Sequence, residues 1–303
     1  MILYHYIKID ELRWVISIGK QGIPCVKLRL NHRSNVSDDP SNIFGLCVLP
    51  KCIIEIEKEL SVESKDSLMP LLQNRPFMES LFRANRSFDD HNTGLTQFVS
   101  SFYENVDDYD LWLRYGDGGA GVSIGLDTDK LKQPFGQVFN FFIKKCVYWP
   151  NGITSALQSF DIPSDLYDEI KEMYKVTTNA KVNKAFETIY AVDTPESAIT
   201  QRIKETFVHN LVSTYDLFHK RDVWQKENEH RMTIGMMSPE IRYVKNANGD
   251  YDPYVETEFP IDALKIIVIG PKCGRNAFGM IQSLFYERQV KEKIQVLNSN
   301  CVM

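Results

Sequence analysis

The sequence predicts an α+β fold, in which short strands form mostly antiparallel sheets and helices are inserted between the strands. Residues 2–7 and 264–269 are aliphatic and aromatic runs of strand length. Residues 231–236 alternate between apolar side chains and other residues, which is the period of a half-buried strand, and we extend this strand back to Glu227. Residues 199–215 instead repeat an apolar residue every four positions, which is typical of an amphipathic helix.

Strands are predicted from short runs of β-branched, aromatic and aliphatic residues that end at glycine, proline or polar residues. In chain order they cover residues 2–7, 26–30, 97–102, 122–126, 144–149, 227–236, 264–269 and 293–297. The run at 264–269 is almost continuously apolar, as expected for a strand that is buried on both faces. Two polar segments, Asp38-Asp39-Pro40 and residues 246–250, have the composition of turns.

Helices are predicted over residues 10–18, 60–91, 105–115, 164–174, 194–215 and 274–287. Asp10 can cap the first helix, whereas Pro70 and Pro76 interrupt the second. The fifth helix has the strongest start signal, because a threonine cap is followed by proline and then glutamate. Residues 155–220 are therefore predicted to form a helical insertion within a single α+β domain that spans residues 1–303.

The overall composition narrows the class of function. A net charge of −5 over 303 residues argues against a dedicated nucleic-acid clamp, because phosphate binding favours a basic face. The six cysteines form no C-x-x-C pair and have no histidine at the spacing of a zinc site, so no metal is expected. No signal-peptide pattern or membrane-length apolar run is found, so we expect a soluble cytoplasmic protein with reduced thiols and no membrane partner.

One stretch places two carboxylates and a guanidinium on the same face of a predicted strand: Glu227, Glu229 and Arg231. Carboxylates two residues apart on a strand lie about 6.5–7 Å apart at Cα, so each perturbs the pKa of the other. Arg231 can hold one of them ionised, and such a group can stabilise a developing positive charge or act as a base. The alternative is a surface ladder in which Glu and Arg pair across strands.

Polar side chains also lie on two earlier predicted strands. His5 could hydrogen-bond a ligand ribose while the ring of Tyr6 stacks on a flat base. Ser100 or Ser101, at the end of a strand, could contact a ligand amide or ribose. The alternatives are an ordinary strand histidine and serines that only form a turn.

The region around residues 105–121 combines aromatic, acidic and glycine residues. Trp112 and Tyr115 share one face of a predicted helix, either as core residues or as the wall of a pocket. The glycine-rich loop at 116–121 lacks the ending of a phosphate loop and precedes a strand, so we interpret it as a turn. The acidic cluster at 107–110 lacks the glycine and glutamate of a calcium loop, which favours a solvated helix N-terminus.

Several short motifs follow one another along the chain. They are Leu3-Tyr4-His5-Tyr6, Asp39-Pro40, Val99-Ser100-Ser101-Phe102, Glu104-Asn105, Leu111-Trp112-x-x-Tyr115-Gly116, Gly121-x-x-x-Gly125, Trp224-x-x-Glu227-x-Glu229-x-Arg231 and Ile269-Gly270-Pro271-Lys272. In this order they resemble the bacterial family catalogued as domain of unknown function 2971. The resemblance covers nearly the whole chain and is weakest at about 155–205. One departure is Asn42, which stands where the family's early loop has a glutamate.

Members of that family are distantly similar to ADP-ribosyltransferases, in which three strand motifs line a cleft for NAD. Those motifs supply an early His or Arg, a middle Ser or Tyr, and a late Glu. The resemblance therefore implies an ADP-ribosyltransferase-like fold with NAD as the substrate. Carried over by position, the three motifs fall on His5, on Ser100 or Ser101, and on Glu229 or Glu227. With that substrate, Tyr6, Trp112 and Tyr115 could form the wall of the nicotinamide pocket, and Arg231 would keep the catalytic carboxylate ionised or contact a phosphate.

The implied function is an NAD-consuming enzyme that transfers ADP-ribose to a protein or nucleic-acid acceptor, or hydrolyses NAD, in bacterial phage-defence or toxin systems. An alternative from another class is a non-catalytic sensor or binding module of the same fold. A nuclease is a third interpretation, which rests on scattered acidic and basic residues and would require magnesium. The sequence leaves the acceptor and the oligomeric state open.

Overall fold

The computed structural model describes residues 1–35, 43–86, 96–131, 139–177, 196–236, 241–245 and 249–303. The chain divides into two compact units. The first, here called the sheet unit, comprises Met1–Asn35, His91–Cys146 and Trp224–Met303. The second, here called the helical unit, comprises Val36–Asp90 and Val147–Val223.

The described strands build one large sheet in the sheet unit and one short pair in the helical unit. In chain order they are β1 (Ile2–Ile7), β2 (Ile16–Ile18), β3 (Pro24–His32), β4 (Thr96–Tyr103), β5 (Val122–Asp127), β6 (Phe139–Lys145), β7 (Val147–Trp149), β8 (His219–Arg221), β9 (Glu229–Met236), β10 (Arg242–Lys245), β11 (Tyr251–Pro260), β12 (Leu264–Ile269) and β13 (Gln295–Asn298). The large sheet has the order β10-β11-β3-β4-β1-β5-β12-β13, with β2 beside β3 and with β9 between β4 and β6. Its described pairings are antiparallel except for β12 with β13, so the prediction of a mostly antiparallel α+β fold is confirmed.

Strand β4 is the point at which the large sheet branches. It pairs with β9 along its whole length, with the end of β3 through two residues, and with β1 through Tyr103 and Tyr4. Alternate β4 side chains face opposite sides of the sheet. Phe98 and Phe102 belong to the main apolar core, whereas Tyr103 belongs to a smaller aromatic cluster. The two faces of β4 therefore have different surroundings.

The same alternation runs along the neighbouring strand β1. Leu3 and Ile7 pack into the main core of the sheet unit, and Tyr6 packs into the aromatic cluster. That aromatic cluster consists of Tyr6, Tyr103, Leu111, Trp112 and Val268, with a few partly buried neighbours. The candidate residues of β4 and β9 described below lie next to it.

The helices are distributed over both units. They are α1 (Leu12–Val15), α2 (Leu49–Glu59), α3 (Met69–Leu72), α4 (Arg75–Arg86), α5 (Tyr109–Tyr115), α6 (Ser164–Thr177), α7 (Glu196–Tyr215) and α8 (Ala277–Glu287). In the helical unit, α2, α6 and α7 contribute to a separate core that includes Phe44, Ile170 and Leu211. Phe207, Leu211 and Tyr215 of the apolar stripe predicted for the helix at 194–215 lie in this core.

Three helix predictions need correction. The helix predicted over 10–18 ends at Val15, because the β-branched residues of β2 pair with β3 instead. A helix at 43–59 was not predicted, since its apolar run has no clear period, and it begins with π-helical geometry at Phe44–Val48. Pro70 and Pro76 do not interrupt a helix but lie in the first turns of α3 and α4. The N–H groups of a first turn have no acceptor within the helix, so the missing N–H of proline costs no hydrogen bond there.

Several predicted boundaries also move. The helix predicted over 105–115 begins at Tyr109, because the Asp108 carboxylate accepts a hydrogen bond from the Leu111 N–H at 3.1 Å and caps it. The strand predicted over 144–149 is two strands, β6 and β7. The turn at Asp38-Asp39-Pro40, the Thr194-Pro195 start signal and most of the turn at 246–250 lie outside the described residues.

The glycine-rich loop at 116–121 is a turn, as predicted, and it brings backbone segments unusually close together. The Gly121 carbonyl accepts a hydrogen bond from the Gly270 N–H at 2.9 Å. A Cβ atom at Gly121 would lie 2.3 Å from the carbonyl oxygen of Ile7 and 2.9 Å from that of Gly116. Only a residue without a side chain fits this contact between backbone groups.

We expect Gly121→Ala to lower the free energy of unfolding by about 1–3 kcal/mol or more, because a backbone oxygen cannot move aside as a side chain can. Gly274→Ala is the matched control, because no atom lies within 4 Å of a Cβ at that position. It should change the free energy of unfolding by less than about 0.5 kcal/mol. Equal urea midpoints for the two variants would contradict the close packing at Gly121.

His32, at the end of β3, predicts an acid sensitivity of the fold. Its ring is buried, and its Nδ1 accepts the Ser34 N–H at 3.2 Å, which requires a neutral ring. Burial and the neighbouring Arg33 lower the pKa of His32 to about 4. The unfolded chain takes up this proton near pH 6.5, so the stabilisation is complete above pH 6.5 and is lost as the pH falls towards 4.

The expected loss is about 3 kcal/mol at pH 4, at about 1.4 kcal/mol per pKa unit. In the His32→Asn variant this part of the pH dependence should disappear, because asparagine does not titrate and its oxygen can still accept the Ser34 N–H. Urea unfolding of both proteins across this pH range measures the difference. Parallel pH profiles would show that His32 is not buried in the neutral form.

Candidate functional site

The pairing of β4 with β9 brings four polar residues, two from each strand, onto one face of the sheet. Ser101 lies opposite Arg231, and Tyr103 lies opposite Glu229. The predicted common face of Glu229 and Arg231 is present, because both lie in β9 two residues apart. The extension of this strand back to Glu227 is wrong. Glu227 ends a 3-10 turn, and Asn228 has a φ of 45°, which breaks the alternation.

Glu229 and Arg231 form an ion pair that is almost fully removed from water. Glu229 is 1% exposed and Arg231 is 2% exposed. The Arg231 Nε donates to the Glu229 Oε1 at 2.8 Å, and Nη2 donates to Oε2 at 3.4 Å, so the pair is bidentate. Burial lowers the pKa of Arg231 to about 9, which leaves it charged at neutral pH beside its carboxylate. The pair is thus an interior one and not a surface ladder.

Glu227 is held differently, by side chains of α5. Its Oε1 accepts hydrogen bonds from the Tyr115 hydroxyl at 3.1 Å and from the Arg114 Nη1 at 3.2 Å. Glu227 is 6% exposed, whereas Tyr115 is 39% exposed and the Arg114 side chain 45% exposed. The Arg114 guanidinium also lies over the ring of Trp224, 5.1 Å from its centroid. Glu227 therefore lies just beneath a partly exposed rim of one arginine and two aromatic rings.

Tyr103 connects the two carboxylates electrostatically. Its buried ring stacks on Tyr115, with ring centroids 5.3 Å apart and an angle of 20° between the ring planes. Burial raises the pKa of Tyr103 well above its ordinary value, and the charges of Glu229 and Glu227 both raise it further. The phenol therefore keeps its proton, and both carboxylates act on the same hydroxyl group.

Two predicted pocket aromatics are core residues instead. Tyr6 and Trp112 are buried and pack edge to face, with ring centroids 4.8 Å apart. The Trp112 Nε1 donates to the Asp107 carboxylate at 2.6 Å, which also accepts from the Ser299 hydroxyl at 2.6 Å. Asp107 is thus a structural acceptor and not part of a solvated cluster. Of the predicted aromatic wall, only Tyr115 lies at the surface.

His5 and Ser100 lie on the other side of β4 from the carboxylates. The His5 ring packs 5.3 Å from Phe102, a residue of the main core, and its Nδ1 is 2.8 Å from the Ser101 carbonyl oxygen. Burial lowers the pKa of His5, so Nδ1 carries the proton of a neutral ring and donates it to that carbonyl. Ser100 is buried opposite Met232. Of His5, Ser100 and Ser101, only Ser101 lies on the same face of the sheet as Arg231.

Sequence reasoning missed Tyr103 and Arg114 and gave no role to Trp224. A signal for Tyr103 was available, because it follows Ser101 by two residues on the same strand and therefore lies on the same face of the sheet. Arg114 carries no comparable signal. Its position over Glu227 depends on how α5 packs against the turn before β9, and local sequence does not encode that packing.

The described residues offer no obvious metal site or membrane helix. They contain no group of three or more His, Cys, Asp or Glu side chains arranged to hold a metal ion. None of the described helices has both the length and the apolar character needed to cross a membrane. Two clefts of the sheet unit, of about 510 and 930 Å³, are lined by residues other than the candidate ones. The candidate site is therefore defined by its side-chain chemistry.

Comparison with known proteins supports the resemblance seen in the motifs over part of the chain. Residues 111–232 match the family described as Protein of unknown function (DUF2971). This segment begins in α5 and ends in β9, so it includes Arg114, Tyr115, Trp224, Glu227, Glu229 and Arg231. No curated protein and no solved structure matches the chain.

The buried ion pair predicts a large effect of removing one partner only. Arg231→Met should lower the free energy of unfolding by about 3–5 kcal/mol, because it removes the guanidinium that pairs with the buried Glu229 charge. Arg13→Met is the matched control. Arg13 pairs with Glu287 at 2.8 Å on the surface, and its loss should cost less than about 1 kcal/mol.

A second variant separates charge from packing. The double variant Glu229→Gln with Arg231→Met removes both charges and should recover part of the stability lost in Arg231→Met. Urea or thermal unfolding measures all of these proteins. A loss for Arg231→Met no larger than that for Arg13→Met would contradict a buried pair.

Proposed function

We propose that this protein is an NAD-consuming enzyme with an ADP-ribosyltransferase-like fold, which transfers ADP-ribose to a macromolecular acceptor or to water. The observation that carries the proposal is the pair of nearly buried carboxylates, Glu227 and Glu229, which both act on Tyr103 beneath a rim of Arg114, Tyr115 and Trp224. The family resemblance supplies the substrate class, and the side chains supply a chemistry that suits it.

Cleavage of the nicotinamide–ribose bond develops positive charge on the ribose. The bond between C1′ and the pyridinium nitrogen breaks, and its electron pair goes to nicotinamide, which leaves as a neutral molecule. A fixed carboxylate in a site that excludes water stabilises the resulting oxocarbenium character. An acceptor oxygen or nitrogen then bonds to C1′, and its proton passes to a carboxylate or to solvent.

Of the two carboxylates, Glu227 is the one that we assign to the ribose. It is 6% exposed, and its hydrogen-bond partners Tyr115 and Arg114 are themselves partly exposed, so a ligand at the rim comes close to it. Glu229 is 1% exposed and holds Arg231 in a bidentate pair. We therefore assign Glu229 a positioning and electrostatic role, although the position-by-position resemblance favours it as the catalytic carboxylate.

The remaining aromatic and polar residues also receive specific roles. Tyr115, which was predicted, and Trp224, which was not, present flat rings for the nicotinamide or the adenine of NAD. Ser101 lies on the Arg231 face and is the serine that we retain as a ligand contact. His5 acts on the site only through its hydrogen bond to the Ser101 backbone, and Tyr6 and Trp112 support the sheet from the aromatic cluster.

A role in bacterial phage defence or in toxin systems, inside the cytoplasm where NAD is available, is part of this proposal and rests on the family resemblance. The acceptor in this proposal is a protein or a nucleic acid. The net charge of −5 favours a protein, because a nucleic acid would have to be held against the charge of the whole chain.

The direct test is release of nicotinamide from NAD by the purified protein. Glu227→Gln should lower the rate about 100- to 1,000-fold while the protein stays folded, because the amide keeps the shape but not the charge. Glu63→Gln is the matched control, since Glu63 is exposed and pairs with nearby Lys65 at 2.9 Å. Its rate should equal that of the wild type.

Glu229→Gln should lower stability as well as turnover, because it removes the buried charge that pairs with Arg231. Turnover by Glu227→Gln at the wild-type rate would contradict the assignment of Glu227. Turnover by neither the wild type nor the variants, with intact folding, would contradict an NAD-consuming enzyme.

A binding module without turnover is the second candidate. The observation that favours it is the closed Glu229–Arg231 pair, which satisfies the late carboxylate without any ligand. Such a protein would bind NAD or ADP-ribose stoichiometrically and release no nicotinamide. Calorimetric titration of ADP-ribose beside the turnover assay distinguishes the two candidates.

A further inference from the structure

Arg114 is the cation of the candidate site that is best placed to meet a ligand. Its contacts within the described residues are a hydrogen bond to the Glu227 carboxylate at 3.2 Å and the ring of Trp224, 5.1 Å from the centroid. Its side chain is 45% exposed. Arg231, by contrast, is 2% exposed and engaged with both oxygens of Glu229. An incoming anion can therefore reach Arg114 but not Arg231.

The bond between Arg114 and Glu227 is readily exchanged. One oxygen of Glu227 receives a single guanidinium nitrogen, so the fork of Arg114 is not used in a bidentate contact. Half-exposed ion pairs of this kind contribute little to stability. When Arg114 turns away, the Glu227 oxygen keeps the Tyr115 hydroxyl at 3.1 Å. The carboxylate is therefore not left without a donor.

A guanidinium beside an aromatic face at a surface rim suits one ligand chemistry in particular. The fork of arginine matches the oxygens of a phosphate in a bidentate arrangement. Trp224 and Tyr115 offer rings on which a flat base can stack. Both features together fit a nucleotide that carries a phosphate group, and they fit a free inorganic anion or an uncharged nucleoside less well.

We infer that Arg114 binds a phosphate group of a nucleotide ligand, and that in doing so it transfers from Glu227 to the ligand. The binding step thereby removes the Arg114 donor from the Glu227 Oε1, which keeps the Tyr115 hydroxyl. The identity of the nucleotide rests on the proposed NAD reaction. In that reaction, the Glu227 carboxylate becomes available to the ribose only after the pyrophosphate is bound. Arg114 is thus a binding residue that couples nucleotide recognition to exposure of Glu227.

The inference is tested with ADP, which has the phosphates and the base but no nicotinamide bond to cleave. Isothermal titration compares the wild type with Arg114→Gln and Arg114→Lys, and uses adenosine as the ligand without phosphate. We expect Arg114→Gln to weaken ADP binding about 10- to 100-fold, as for the loss of a charge-assisted hydrogen bond, and Arg114→Lys to weaken it less. Adenosine binding should change little in either variant.

Arg13→Gln is the matched control, because Arg13 is an exposed arginine that pairs with Glu287. It should bind ADP as the wild type does. Added salt should weaken ADP binding more steeply for the wild type than for Arg114→Gln. In turnover of NAD, Arg114→Gln should raise KM more than it lowers kcat.

Equal ADP affinity in the wild type and Arg114→Gln would overturn the inference, and so would an equal loss of ADP and adenosine binding or no ADP binding by the wild type. Its failure is distinct from failure of the proposed function. If ADP binding depends on Arg114 but NAD is not cleaved, the enzymatic proposal fails and the phosphate site stands. If NAD is cleaved with an unchanged KM in Arg114→Gln, the phosphate site fails and the enzyme stands.

Discussion

The ion pair of Glu229 and Arg231 constrains the centre of the sheet unit, because two opposite charges lie almost entirely out of water. Such a pair is tolerated only with close geometry and matched partners. Here the strand supplies that geometry. Residues two apart on β9 lie on the same face of the sheet, so the two side chains meet while the backbone stays extended. The register of β9 against β4 then places Ser101 and Tyr103 over the pair. A shift of one residue would turn both charges into the apolar core on the other face.

The branching of the sheet at β4 explains why the site is not arranged as the motifs suggest. One face of β4 carries Phe98 and Phe102 into the main core, and the other carries Ser101 and Tyr103 towards the charges of β9. His5 lies on the first face, and Glu229 lies on the second. Three motifs can thus come together in neighbouring strands and still be separated by the thickness of the sheet.

The two carboxylates differ mainly in depth, and this difference determines what each can do. Glu229 is neutralised by a buried guanidinium, so it supplies a fixed negative charge below the surface. Glu227 pairs with a partly exposed guanidinium, and the exchange of that guanidinium for a ligand is what we propose. Tyr103 responds to both charges and keeps its proton. In the proposed reaction, the permanent charge and the exchangeable one would both act on the developing positive charge.

Local periods of two and of about 3.6 residues are enough to predict the class of fold, most strands, the long helix at 196–215 and the common face of Glu229 and Arg231. These periods did not show that residues 16–18 would pair with residues 24–26, because a short apolar run fits the end of a helix as well as a strand. Nor did they show that Glu227 would leave the alternation at Asn228, whose φ is 45°. The relative depth of the two carboxylates, the contact of Arg114 with Glu227 and the position of His5 across the sheet are seen only in the folded protein. The depth of a side chain and its contacts across strands arise from packing between segments about a hundred residues apart, so no local sequence pattern predicts them.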